Sequence, residues 1–119
     1  MKLAIPVDKK GEEAKVCDSL GRAPYYLIHD TETGEREFVL NTAATSAGGA
    51  GVRAAQIIVD QGVAILLTPR CGQNAAGVIE AAGIKIHRTE GNSIEANIEA
   101  FLADKLPQLD EIHDGLHQH

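Results

Sequence analysis

The sequence predicts an α/β protein in which helices cover both faces of a mixed five-stranded sheet. An apolar strand followed by a hairpin opens the chain, which indicates antiparallel pairing. A pattern of loop, helix, glycine and strand then occurs twice, as in adjacent right-handed crossovers of a parallel sheet. The predicted order of elements is β-β-β-α-β-α-β-α, with strands one, three, four and five running the same way.

The first three strands are predicted from apolar and β-branched segments separated by turn residues. Lys2–Val7 alternates weakly and gives the first strand. Tyr25–His29 and Glu37–Leu40 are similar, and Glu32-Thr33-Gly34 between them has the residue types of a turn. These segments predict a strand followed by a hairpin.

The repeated pattern covers Ala54–Ile65 and Ala75–Ile86, which match in residue type at a spacing of 21 residues. In each copy an apolar helical face is followed by a glycine, Gly62 or Gly83, where a helix would end. An apolar strand comes next, over Val63–Thr68 in the first copy. The repetition predicts two neighbouring crossovers.

The last helix is predicted after the capping sequence at Ser93. Beyond Leu106 the chain becomes polar, so we expect one α/β domain over residues 1–106 and a polar C-terminal tail over residues 107–119. Histidines in this tail could bind a metal, although a solvated tail explains them as well. They are His113, His117 and His119.

Composition excludes several classes of partner. The formal net charge of −6 opposes phosphate neutralisation, and an aromatic content of 3% offers little stacking, so nucleic acid is not expected. No apolar run approaches the length of a membrane span, and the N-terminus leads into a strand without a signal-peptide pattern. We expect a cytoplasmic protein that binds neither nucleic acid nor membrane.

Arginines gather in the loops where a ligand should bind. In open sheets ligands lie outside the carboxyl ends of parallel strands, here the loops over residues 8–24, 41–50, 69–72 and 88–92. Four of the five arginines lie in or directly after these loops, and guanidinium groups suit anions with several oxygen or sulfur atoms. These candidate ligand-binding residues are Arg22, Arg53, Arg70 and Arg88.

Glycines precede two of the predicted helices. Gly48, Gly49 and Gly51 precede or begin the first, and Gly72 precedes the second. Backbone amides at a helix N-terminus can approach an anion closely when no side chain intervenes. Glycines serving only tight turns are the alternative, and the chain would then be an interaction module without a ligand.

Two cysteines, Cys17 and Cys71, are expected at the same edge. As thiolates they could ligate a soft metal such as copper or iron. Two cysteines cannot complete a tetrahedral zinc site, so a bound metal would need further ligands or its own sulfide. The alternative is that one or both are ordinary buried apolar residues.

No catalytic constellation is evident, so an enzyme is not expected. There are no paired carboxylates for a two-metal site and no G-x-S-x-G nucleophile motif. The glycine-rich segment matches neither G-x-G-x-x-G nor the Walker pattern. An enzyme or sensor that binds a nucleotide or phosphorylated small molecule at these loops remains the alternative.

Several segments in the same order carry a resemblance to a known family. They are Met1–Val7, Gly21–Tyr26, Gly48–Gly51, Cys71–Ala75 and Ala82–Ile84. The sequence resembles the dinitrogenase iron-molybdenum cofactor biosynthesis family over nearly the whole chain up to the last helix. Within the fourth segment, Asn74 joins the candidate ligand-binding residues.

The resemblance implies a ribonuclease-H-like fold without nuclease activity. It also implies a non-catalytic carrier of the iron-molybdenum cofactor or its precursors, with a cluster donor or acceptor protein as partner. Many members have His-Phe-Gly where this chain has Ser19-Leu20-Gly21. This difference favours stand-alone relatives that hold a molybdenum-copper sulfide cluster.

Overall fold

The computed structural model describes residues 1–109, so the three tail histidines lie outside the described residues. It confirms an α/β fold with a mixed five-stranded sheet and three helices in the predicted order. The strands are β1 (Lys2–Val7), β2 (Tyr25–Asp30), β3 (Arg36–Leu40), β4 (Ile65–Thr68) and β5 (Lys85–Arg88). The helices are α1 (Ala50–Asp60), α2 (Gln73–Ala81) and α3 (Ile94–Leu102).

The strand order across the sheet is β3-β2-β1-β4-β5. β2 is antiparallel to both β1 and β3, whereas β1, β4 and β5 are mutually parallel. The turn of the hairpin forms because Asp30 Oδ1 accepts the backbone amide of Glu32 at 2.8 Å and Gly34 adopts a φ of 78°. Loops following β1, β3, β4 and β5 therefore meet at one edge, as predicted.

Helices lie on both faces of the sheet and divide the core in two. α1 and α2 pack on one face through small and aliphatic residues such as Ala54, Ala55 and Ile79. α3 covers the other face through Ile94 and Ile98. Because aromatic residues make up only 3% of the chain, the core consists mainly of alanine and branched aliphatic side chains, together with the buried Tyr26.

The predicted helix ends are confirmed. Gly62 and Gly83 follow the last residues of α1 and α2 with φ values of 70° and 82°, a conformation that glycine adopts without steric cost. β4 begins at Ile65 and not at Val63, although the amide of Ala64 already donates to Lys2 O at 3.0 Å. Val63 is nevertheless buried in the core.

The first three residues of the predicted tail pack against the outer edge of β5. The amide of Arg88 donates to Pro107 O at 2.9 Å, and the amide of Leu109 donates to Ile86 O at 2.8 Å. Leu109 is only 6% exposed. Within residues 1–109, no helix combines the length and apolar character that crossing a membrane requires.

Candidate functional site

A cavity of about 690 Å³ lies where the loops after β1 and β4 meet the first turns of α1 and α2. One wall is residues 18–21, and the other is residues 70–75 together with Gly51. Five predicted residues therefore share this cavity: Gly51, Arg70, Cys71, Gly72 and Asn74. The volume is within the range of about 300–1,000 Å³ found for small-ligand sites.

The two helices that begin at the cavity have no side-chain caps. The N-cap residues are Gly49 for α1 and Gly72 for α2, and neither first turn contains an acid. α3 differs, because Ser93 Oγ accepts the amide of Ala96 at 3.1 Å and Glu95 lies in its first turn. The N-terminal amides of α1 and α2 therefore lack the local partners that α3 has, and favour an anionic ligand. In α2 they belong to Gln73, Asn74 and Ala75, all of which line the cavity.

Two charged side chains line the cavity, one of each sign. Arg70 is exposed, and no ion pair joins it to another of residues 1–109. Asp18, also exposed, belongs to the opposite wall and opposes an anion. Attraction for an anion thus depends on Arg70 and the helix N-termini acting against Asp18.

The two cysteines have different environments. Cys71 lines the cavity but is only 1% exposed, and burial raises the pKa of its thiol to about 11. Cys17 is partly buried and packs against the same core cluster without lining the cavity. Cys71 is thus a neutral thiol at neutral pH. Among the residues that the structure describes, no three of His, Cys, Asp or Glu converge as a metal site.

Tyr26 lies buried beside both thiols. Its pKa is raised above the ordinary value, first by burial and then by the electrostatic effect of Cys17 and Cys71. Its hydroxyl donates to the carbonyl of Leu20, which belongs to the cavity wall. The phenol is therefore a neutral hydrogen-bond donor that fixes the Leu20 carbonyl of this wall from the core side.

The other predicted residues do not line the cavity. Arg22 is hydrogen-bonded through Nη1 to Ala44 O at 2.9 Å and Ser46 O at 2.7 Å. Arg53 in the first turn of α1 and Arg88 at the end of β5 are exposed at the same edge of the sheet. Gly48 and Gly49 are exposed in the loop before α1.

Sequence reasoning missed four polar or backbone contributors to the cavity. Gly21 was noted only as part of a motif, yet a Cβ there would lie 3.4 Å from Gly51 Cα, so the loop passes very close to α1. Asp18, Ser19 and Gln73 also line the cavity. Their sequence positions could have indicated this, because they directly follow Cys17 or Gly72, which were predicted to lie at the ligand site.

These features define a small α/β protein with an open cavity at the carboxyl edge of its parallel strands, suited to an anion at two helix N-termini. A family model described as dinitrogenase iron-molybdenum cofactor matches residues 1–104. The chain belongs to this family. The match covers all five strands and all three helices.

Relatives of known structure share the fold over nearly the whole chain. The apo form of the orange protein from Desulfovibrio gigas is 31% identical, with a TM-score of 0.86 and 92% of each chain covered. A candidate NifB protein from Thermotoga is 37% identical, with a TM-score of 0.81, over 93% of this chain and 95% of that one. By sequence alone, an uncharacterized protein of Methanocaldococcus jannaschii is also similar, at 29% identity over 92% of each chain.

Proposed function

We propose that this protein is a non-catalytic carrier of an anionic, molybdenum-containing metal-sulfur cluster. The observation that carries the proposal is the pairing of two helix N-termini without side-chain caps at one cavity of about 690 Å³. An anion there would accept hydrogen bonds from the first backbone amides of α1 and α2. In α3 the corresponding amide of Ala96 is bonded to the Ser93 side chain instead. Family membership supports molybdenum as part of the cargo.

The residues at the cavity fit such a cargo by charge and by chemistry. Arg70 would place a guanidinium beside the anion, and the side-chain amide of Asn74 would donate a further hydrogen bond. Gly51 and Gly72 would leave the backbone accessible. The buried thiol of Cys71 would offer a soft contact at the edge of the cavity without requiring a preformed thiolate.

Within this class we favour a molybdenum-copper sulfide cluster over an iron-molybdenum cofactor precursor. Ser19-Leu20-Gly21 lines the cavity without the imidazole that the family's usual histidine would supply. The similarity to the orange protein supports the same choice. We further propose a ribonuclease-H-like fold, a cytoplasmic location and a partner protein that delivers or receives the cluster.

Binding of a nucleotide or phosphorylated small molecule is the second candidate, because the same amides and Arg70 suit a phosphate. The lining favours it less. No aromatic ring lines the cavity to stack on a base. A thermal-shift comparison would separate the two, since stabilisation by nucleotides but not by thiomolybdate would favour this alternative.

The direct test is cluster retention. Purified metal-free protein is incubated with tetrathiomolybdate and Cu(I) without oxygen and desalted, and bound metals and visible absorption are measured. We expect the wild type to retain both metals and colour. Arg70→Ala should weaken retention about tenfold to a hundredfold, because a charge-assisted hydrogen bond contributes roughly 1.5–3 kcal/mol and each 1.4 kcal/mol is about tenfold in affinity.

Arg36→Ala is the matched control. It removes the same charge, but Arg36 lies on β3 and pairs with Glu95 of α3, away from the cavity. Its retention should equal that of the wild type. Wild-type protein that elutes colourless and free of molybdenum would contradict the proposal.

A further inference from the structure

Arg22 connects two loops at the cavity. It lies in the loop after β1, directly following residues 18–21 of the cavity wall. Its Nη1 donates to Ala44 O at 2.9 Å and to Ser46 O at 2.7 Å, in the loop that leads into α1. The side chain thus uses one nitrogen to bind the neighbouring loop, and it does not line the cavity.

Residues 44–49 depend on this contact. Within the described part of the chain, Arg22 makes the only side-chain hydrogen bonds to these six residues. The backbone adds three bonds, from Ala44 N to Asn41 O at 3.2 Å, from Ser46 N to Ala43 O at 3.0 Å and from Arg53 N to Gly49 O at 3.0 Å, and Gly48 and Gly49 are exposed. Without the guanidinium, the carbonyls of Ala44 and Ser46 would be hydrogen-bonded to water instead of to a charged donor. No side chain of the described residues would then hold residues 44–49, which lead into α1.

A second side chain connects the same loops in the reverse direction. Asn41 Nδ2 donates to Gly21 O at 3.0 Å and to Ala23 O at 2.8 Å. Its Oδ1 accepts the amide of Ala43 at 3.0 Å. Asn41 fixes the base of both loops, so Arg22 is left to fix the outer part nearer α1. Gly21, whose carbonyl accepts from Asn41 and which precedes Arg22, lies so close to α1 that a Cβ there would be 3.4 Å from Gly51 Cα.

We infer that Arg22 is a positioning residue that holds the start of α1 against the cavity wall at residues 18–21. This inference rests on the proposed function and changes the role expected for Arg22, which acts through the loop and not through contact with the anion. Ordering the amides of α1 before the ligand arrives removes an entropic cost from binding. The anion affinity therefore depends on a side chain that does not line the cavity.

Affinity for tetrathiomolybdate with Cu(I) is measured for the wild type and three variants. Arg22→Ala should bind about tenfold more weakly, which corresponds to about 1.4 kcal/mol. Arg22→Lys should recover most of the affinity, because an ammonium also donates to two carbonyls. Arg36→Ala, which loses a comparable set of side-chain hydrogen bonds on the opposite face, should bind like the wild type. Wild-type affinity in Arg22→Ala would overturn the inference.

Ionic strength separates positioning from direct contact. Removing a charge that touches the anion, as in Arg70→Ala, should flatten the dependence of affinity on salt. Arg22→Ala should instead lower the affinity by a similar factor at every salt concentration. Flattening of the same size in both variants would place Arg22 on the anion and overturn the inference.

Amide hydrogen exchange of the ligand-free protein supplies a readout that does not need the probe. The amides of Ser46 and Arg53, bonded to Ala43 O and Gly49 O, should exchange about tenfold faster in Arg22→Ala. The amide of Ala96, bonded to Ser93 Oγ, should not change. Unchanged exchange at Ser46 and Arg53 would refute positioning. Failure of the wild type to retain the probe would instead refute the proposed function alone.

Discussion

At the scale of single residues, the cavity owes its charge balance to Asp18 and Arg70. Both are exposed and lie on opposite walls. A site built only to attract an anion would have no carboxylate there. Asp18 therefore repels any anion in the cavity. A simple anion has little to offset this repulsion, whereas a ligand that accepts several hydrogen bonds from the amides of α2 does, so Asp18 favours the second kind of ligand.

Asp18→Asn should accordingly strengthen binding of tetrathiomolybdate with Cu(I). Exposed charge pairs contribute roughly 0.2–1 kcal/mol, so we expect an increase in affinity of about 1.4-fold to fivefold at low salt. The increase should shrink at high salt because screening weakens the repulsion. Binding titrations at two ionic strengths measure it.

Asp60→Asn is the control for this prediction. It removes the same charge at the far end of α1, where Asp60 accepts a hydrogen bond from Gln56. Its affinity should stay near that of the wild type. An unchanged affinity in Asp18→Asn would mean that the carboxylate does not face the bound anion.

At the scale of elements, helix ends and sheet edges were predicted unequally well. Gly62 and Gly83 marked the ends of α1 and α2 because each glycine followed an apolar helical face, and in the structure both adopt the left-handed conformation. The packing of Leu109 on β5 was not predicted, because one leucine in a polar segment gives no periodic signal. Pairing along an edge depends on distant backbone that a local pattern cannot reveal.

Leu109→Ala should destabilise the protein. Leu109 is buried beside Ile86, and removing a buried leucine side chain costs roughly 2–5 kcal/mol, with the lower end expected at a sheet edge. Leu102→Ala, at a leucine that is 56% exposed, is the matched control and should cost under about 0.5 kcal/mol. Urea unfolding compares the two. If Leu109→Ala lowered the free energy of unfolding as little as Leu102→Ala does, residues 107–109 would add no packing energy.

At the scale of the whole molecule, the contact between the hairpin and α3 makes stability depend on pH. His29 of β2 accepts a hydrogen bond from Arg36 Nε at 3.1 Å, and Arg36 also pairs with Glu95 of α3. The pKa of His29 is lowered by burial and by Arg36, and the pKa of Glu95 is lowered by its hydrogen bond to Arg36. Both shifts favour the folded state at neutral pH.

The free energy of unfolding should therefore fall in two acid steps. As the pH drops below the ordinary histidine pKa of 6.5, the unfolded chain takes up a proton more readily at His29 than the folded chain does. Glu95 adds a second loss below 4.5, where its carboxylate is protonated first in the unfolded chain. Urea unfolding across this pH range measures both steps. His29→Gln should remove the upper step, and an upper step that persists in this variant would contradict the assignment.

The sequence predicted the mixed five-stranded sheet, the order of its strands and helices along the chain, and the edge where the cavity lies, but only part of the cavity itself. Arg70 and Gly72 follow β4 directly, so topology alone placed them. Arg22 lies in the expected loop and Arg88 ends β5 at the same edge, yet the direction of each side chain depends on which groups lie nearby, and no spacing rule gives that. Cys71 was located correctly, while its burial became evident only from the packed core.

The N-terminus of α3 is capped by a side chain, whereas those of α1 and α2 are not, and this difference affects how fast proteases degrade the protein. Under the proposed function, the cluster binds to the N-terminal amides of α1 and α2 only in the folded chain, and so raises the free energy of unfolding. Proteases that attack the opened chain would then destroy empty molecules faster than filled ones. The abundance of the protein would follow the supply of its cargo, without any dedicated regulator.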